Sequence, residues 1–149
     1  MKNKRTAQKP PYVGALLRLN LMTVRKRLLT ALSGHGYKNI SAAHLVAFSY
    51  PFPEGVKPSE LSARGNQSKQ SINHMLTELE ASGFLVRKSE KGGGRRRVYL
   101  TNKGKKVVEI CQQEMIALQK EWSARVGSKQ FETFLEVLRH MPPYPNGDA

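Results

Sequence analysis

Residues 58–104 read PSELSARGNQSKQSINHMLTELEASGFLVRKSEKGGGRRRVYLTNKG, and the glycines in this stretch fix the order of elements the chain can form. Gly65-Asn66 reads as a tight turn between two short helices, the first capped by Ser59 over ELSAR and the second by Ser68. Gly83 sits where a helix that begins at Ser68 would end, in the position that favours a left-handed residue. Residues 84–89 then alternate as a strand. Gly92, Gly93 and Gly94 strip the side chains from a bend, and 97–101 returns as the partner strand with Val98 and Leu100 on one face. Two helices across a glycine turn, followed at once by a hairpin, give the order of a winged helix-turn-helix.

The flanks are helical. From Tyr12 to about Ser33 the apolar residues recur at three- and four-residue spacing over too long a run for a strand. Gly34 and Gly36 end that helix, and Ser41 is placed to cap a second one over AAHLVAFS as far as Tyr50-Pro51. PFPEGVKP reads as a loop, because its prolines deny both a helix and a central strand. A long helix capped by Thr101 or Asn102 runs to about Val126 with an apolar stripe through Val107, Ile110, Cys111, Met115, Leu118 and Trp122. After Gly127-Ser128 a last helix carries Phe131, Phe134, Leu135 and Leu138 before Met141-Pro142-Pro143. The expected fold is thus mainly α with a small β-hairpin wing. Residues 1–10 are expected to form a flexible basic arm and 11–149 one domain, with the winged helix over about 41–101. The surplus apolar faces of the terminal helices, about 12–33 and 102–141, are expected to meet a second copy, with Leu17, Phe131, Phe134, Leu135 and Leu138 at the interface.

Charge narrows the partner. The chain has 149 residues, 25 Lys+Arg and 11 Asp+Glu, for a formal charge of +14. Such an excess points to a polyanion, nucleic acid or an anionic membrane surface. Residues 1–53 hold nine basic residues and no acid, while residues from 107 onward hold four basic and six acidic ones. The basic surface therefore belongs to the first two thirds. One cysteine, Cys111, rules out an intrachain disulfide and agrees with a reducing cytoplasm. MKNKRTAQKP has no apolar core after its charges, unlike a secretory signal.

Within 68–83 the stripe Ile72, Met75, Leu76 and Leu79 turns Lys69, Gln70, Asn73 and Thr77 outward together, with His74 at the edge. Amides and a lysine in that arrangement suit the base edges of a major groove. Ser68 and Ser71 stand in the first turn, where hydroxyls and free N–H groups can hold a phosphate. Arg95, Arg96 and Arg97, at the exit of the glycine bend, suit the adjacent minor groove or its phosphates.

The element order, the LTELEASGFLVR and YLTNKG stretches and the arginine-rich wing together resemble the MarR family of bacterial transcription regulators, over nearly the whole chain. The resemblance implies a cytoplasmic homodimer on a pseudo-palindromic operator in double-stranded DNA, usually a repressor, with recognition helices spaced for grooves about 34 Å apart. It also implies a small amphipathic or phenolic effector lodged between the DNA-binding lobe and the dimer helices, for which Tyr12, Leu16, Leu19, His44, Phe48 and Trp122 are the candidate lining. Where the family commonly carries Asp and Arg in its wing, this chain has Gly92 and Gly94. The arginine's work passes to Arg95 or Arg96, and a more mobile wing is expected.

Other chemistries find less to build on. No phosphate loop ending in Lys-Ser/Thr, nucleophile elbow or paired carboxylates are present, which argues against an enzyme. His35, His44, His74 and His140 are scattered without ligand spacing, so no metal or other cofactor is expected. Cys111, on an apolar stripe, reads as a small buried hydrophobe. A basic RNA-binding or nucleoid-coating protein without sequence choice is the rival reading, but the hairpin offers only Tyr99 for base stacking. Membrane association is not expected, since the cations lie on a hairpin and a polar helix rather than on one amphipathic helix.

Overall fold

A computed structural model of the chain describes residues 9–49, 55–89, 92–94 and 96–141. Its elements are α1 (Val13–Gly34), α2 (Leu45–Phe48), α3 (Pro58–Gly65), α4 (Lys69–Ala81), β1 (Leu85–Lys88), β2 (Arg97–Leu100), α5 (Asn102–Val126) and α6 (Ser128–His140). Most of the expected basic arm, Arg95, and residues 50–54 of the proline loop lie outside the described residues.

Three helices stop in the same way. After α1, α3 and α4 the chain enters the left-handed region at Gly36 (φ 89°), Asn66 (φ 47°) and Gly83 (φ 76°). The next N–H then returns to a carbonyl of the last turn: Tyr37 to Leu32 at 2.9 Å, Gln67 to Ser62 at 3.1 Å, and Phe84 to Leu79 at 2.9 Å. This geometry satisfies carbonyls that the helix end would otherwise leave without donors. Two of the reversals also deliver aromatic rings to one place: Tyr37 and Phe84 lie 5.9 Å apart between centroids, and Phe48 meets Phe84 edge-on at 5.9 Å.

The core gathers around α4. Ile72, Met75, Leu76 and Leu79 are all buried, as their spacing predicts, against Leu61 of α3, Leu45 and Phe48 of α2, Leu85 and Val98 of the hairpin, and Val107 of α5. Each such side chain taken from water contributes roughly 1.5–3 kcal/mol. The second half of α1 joins this core through Leu28 and Leu32. Its first half does not: Tyr12, Val13, Leu16, Leu17, Leu19, Leu21 and Met22 are exposed.

Local signals misplace several boundaries. Ser41 does not start a helix; residues 42–44 form a turn and α2 is a single turn. Its N–H donates to the His44 ring instead, at 3.1 Å. Pro58 takes the first position of α3, so the cap is Lys57 and Ser59 lies inside the helix. Proline's fixed φ is preorganised for that position and its missing N–H costs nothing there. Val56, in the stretch expected to be loop, exchanges two backbone hydrogen bonds with Val98 (3.0 and 2.8 Å) and adds a one-residue third strand to the hairpin. The strands themselves are four residues each, paired antiparallel from Leu85 with Leu100 to Lys88 with Arg97.

The joint between wing and α5 explains YLTNKG. Thr101 Oγ1 accepts the Gly104 N–H at 3.2 Å and donates to the Gly83 carbonyl at 2.7 Å. Lys103 Nζ donates to the Ser82 carbonyl at 2.8 Å and stands 4.3 Å from the Phe84 ring centroid. Gly104 packs so closely that a Cβ there would collide with the Phe84 carbonyl oxygen. Three residues of the motif thus fasten the end of α4 to the start of α5.

Candidate nucleic-acid interface

α4 is capped by Ser68, whose Oγ accepts the Ser71 N–H at 3.1 Å and lies 2.9 Å from the Ser71 hydroxyl. With its buried stripe facing inward, α4 leaves Lys69, Gln70, Ser71, Asn73, His74 and Thr77 exposed along one side. The structure therefore brings these sequence-predicted residues together.

They are not all free. The Thr77 hydroxyl donates to the Asn73 carbonyl at 2.9 Å and accepts from Arg87 Nη2 at 2.7 Å. Arg87, on β1, is a residue that strand alternation marks only as polar. Its backbone N–H donates to Glu80 Oε1 at 3.0 Å and its Nε lies 3.0 Å from Glu80 Oε2. It joins the wing to α4 on the side that carries the predicted DNA contacts. The signal for it was the pair Thr77 and Glu80, three residues apart on α4, which needs the hairpin's position before it can be read.

The wing answers the triple glycine in part. Gly92 (φ 100°) and Gly93 (φ 81°) occupy backbone conformations that side chains rarely adopt. Arg96 is exposed beyond the bend. Arg97, expected to face DNA, is partly buried, and its Nη1 donates to the Gly55 carbonyl at 3.3 Å. Lys88 stands 5.6 Å from the Tyr99 ring centroid.

Besides Glu80, a second carboxylate of α4 sits between two histidines. Glu78 of α4 lies 3.1 Å from His44 Nε2 and 3.5 Å from His74 Nε2. The hydrogen bond from His44 first, and the charge on His74 to a lesser degree, hold the Glu78 carboxyl below its ordinary range against the desolvation that would raise it. Among the described residues no group of three or more His, Cys, Asp or Glu is arranged to hold a metal ion.

Two of the hollows away from α4 are lined by residues of the expected pocket. A cavity of about 480 Å³ is lined by Val24 and Leu28 of α1, Leu45 and Phe48 of α2 with Ser49, and Cys111, Gln112, Met115, Ile116 and Gln119 of α5. Burial pushes the Cys111 thiol up to about 11. A second hollow of about 420 Å³ is lined by Asn20, Trp122, Arg125, Val126, Gln130, Phe131 and Phe134. The six residues expected to line one pocket are not brought together. Phe48 lines the first hollow and Trp122 the second; Tyr12, Leu16 and Leu19 line neither, and the His44 side chain turns toward Glu78. Helical spacing shows which residues share a face, but not which element covers it.

Of the expected interface residues, Phe131 and Phe134 line the second hollow, Leu135 and Leu138 lie further along α6, and Leu17 lies on α1. Phe131 is buried with its ring 6.4 Å from Trp122, and Phe134 stacks obliquely on it at 6.2 Å. Phe134 and Leu17 are exposed, while Leu135 and Leu138 are partly buried. Among the described residues no helix is long and apolar enough to cross a membrane.

Neither a protein-family model nor a curated protein matches the sequence. Solved structures do match the fold. CouR from Rhodococcus jostii RHA1, bound to p-coumaroyl-CoA, superposes with a TM-score of 0.70 at 16% identity, covering 93% of this chain and 95% of its own. Wild-type MarR from E. coli, in the apo form, gives 0.67 at 22% identity over 91% of this chain and 100% of its own. A MarR family protein of Mycobacterium tuberculosis in complex with p-aminosalicylic acid gives 0.62 at 22% identity, over 86% and 96%. The fold of this chain is the winged helix-turn-helix of the MarR family transcription regulators.

Proposed function

We propose that this chain is a dimeric regulator of transcription in the bacterial cytoplasm that binds a pseudo-palindromic operator in double-stranded DNA, acts as a repressor, and is released by a small amphipathic or phenolic molecule. The observation that carries this reading is the exposed row Lys69, Gln70, Asn73 on α4, backed by a fully apolar stripe, with Arg87 bound at Thr77 on the same helix and Arg96 exposed on the wing. Donors and acceptors at that spacing match base edges, while the cations and the Ser68–Ser71 turn match phosphates. A regulator of this fold reads two half-sites, so it needs two copies. The exposed apolar first half of α1 and Phe134 of α6 supply surface for that union. The cavity between α1, α2 and α5 is of a size and apolarity that suit a small ligand.

Sedimentation of the full chain with a duplex tests the assembly. Two chains per bound duplex are expected, and deletion of residues 128–149 should yield single chains that no longer hold the duplex. A full-length chain that sediments as a monomer at all concentrations, with or without DNA, contradicts the reading.

A further inference from the structure

His44 immediately precedes α2, whose Leu45 and Phe48 form part of the wall of the cavity against α1 and α5. Its side chain is largely buried, at 12% exposure. Nδ1 accepts the Ser41 N–H at 3.1 Å. A backbone N–H can only donate, so Nδ1 carries no proton, and the ring proton of the neutral imidazole sits on Nε2. That atom faces Glu78 Oε2 at 3.1 Å, and the other carboxylate oxygen lies 3.5 Å from His74 on the exposed side of α4. The same tautomer leaves Nε2 no lone pair for a cation, so the convergence of two histidines on one carboxylate is not a metal site.

The bond is placed to transmit movement. α2 rests mainly on α3 and α5, and its apolar side chains pack without direction. Among the described hydrogen bonds, His44 to Glu78 is the one that joins residues 41–49 to α4. A hydrogen bond at this length is lost when its partners separate by much less than a residue's width. We infer that His44 is a positioning residue: through Glu78 it sets how α4 sits against the cavity-wall helix α2, so that a shift of α2 reaches the face bearing Gln70 and Asn73. This rests on the reading of α4 as the DNA-reading helix.

The test is a double-mutant cycle in the full chain, with affinity measured for a duplex selected by the protein and for a scrambled duplex. His44→Leu should weaken the selected duplex about three- to tenfold, the range that loss of one hydrogen bond gives, and leave the scrambled duplex within twofold by the same measure. His44→Gln, which keeps a donor, should recover most of the loss. In a Glu78→Ala background, His44→Leu should have no further effect. Equal weakening of both duplexes, or additive effects of the two substitutions, overturns the proposal. Nitrogen NMR of the wild-type ring reads the strut without DNA: a His44 proton on Nε2 is expected, and one on Nδ1 overturns it. If the wild-type chain fails to separate selected from scrambled duplex while the ring shows the Nε2 proton, it is the DNA-reading assignment that fails.

Discussion

Arg27 of α1 grips Glu121 of α5 with two parallel donors, Nη1 to Oε2 at 2.6 Å and Nη2 to Oε1 at 2.7 Å, while its Nε donates to Glu114 at 2.9 Å. The pairing ties the core-facing half of α1, next to Leu28, to the far end of α5. A forked guanidinium between two carboxylates fixes the angle of the helices as well as their distance.

The hydrogen bonds from Arg27 hold the Glu121 carboxyl below its ordinary range. A carboxyl depressed in the folded state adds stability that is present above its unfolded value and is lost as pH falls through the folded one. Thermal melts of wild type should therefore drop more between pH 6 and pH 3 than melts of Arg27→Met, whose curve should be flatter and lower at pH 6. Parallel curves would show that the clamp contributes nothing to the acid limb.

Gly104→Ala should destabilise the fold by about 1–3 kcal/mol or more, because a rigid backbone carbonyl rather than a flexible side chain stands in the way of the new methyl group. Urea unfolding followed by circular dichroism measures it. An unchanged midpoint would mean that the α5 start and Phe84 separate freely.

Cys111 should be unreactive. Its thiol is buried and pushed up to about 11 by desolvation, so almost none of it is thiolate near neutrality. Alkylation by iodoacetamide at pH 8 should be at least about a hundredfold slower in the native chain than in urea, where an ordinary thiol is restored. Comparable rates in the two states would contradict the burial of this thiol.

Gln70→Ala and Asn73→Ala should each relax preference at one base position, at a cost of about 1–3 kcal/mol for the preferred duplex and little for others. Arg96→Ala should lower affinity for every duplex alike and reduce the salt slope by about one. Uniform loss from all three changes would remove the distinction between base reading and phosphate holding.

What the sequence disclosed and withheld follows from the range of each interaction. Ser68 as a cap, Gly83 as a stop and the stripe from Ile72 to Leu79 rest on residues within one or two turns, and the structure keeps all three. Ser41 looked equally good as a cap, but residues 42–44 close only a turn, and the His44 ring that accepts the Ser41 N–H is held by Glu78 from a distant helix. Val56 became strand only because Val98 was there to pair with it. The same holds for Arg97, drawn to the Gly55 carbonyl, and for Arg87, whose place beside Thr77 is created by the hairpin. The six expected pocket residues scattered because an apolar face can be read from spacing, whereas its partner is set by how α1, α5 and α6 cross.

The most direct measurement is selection from a pool of duplexes with a randomised centre, followed by sequencing of the bound fraction at physiological salt. The enriched duplexes should share an inverted repeat whose half-sites lie about one helical turn apart, 10–10.5 base pairs between centres. A bound fraction with no enriched sequence, or with a single unpaired half-site, contradicts a two-fold protein that reads bases with α4.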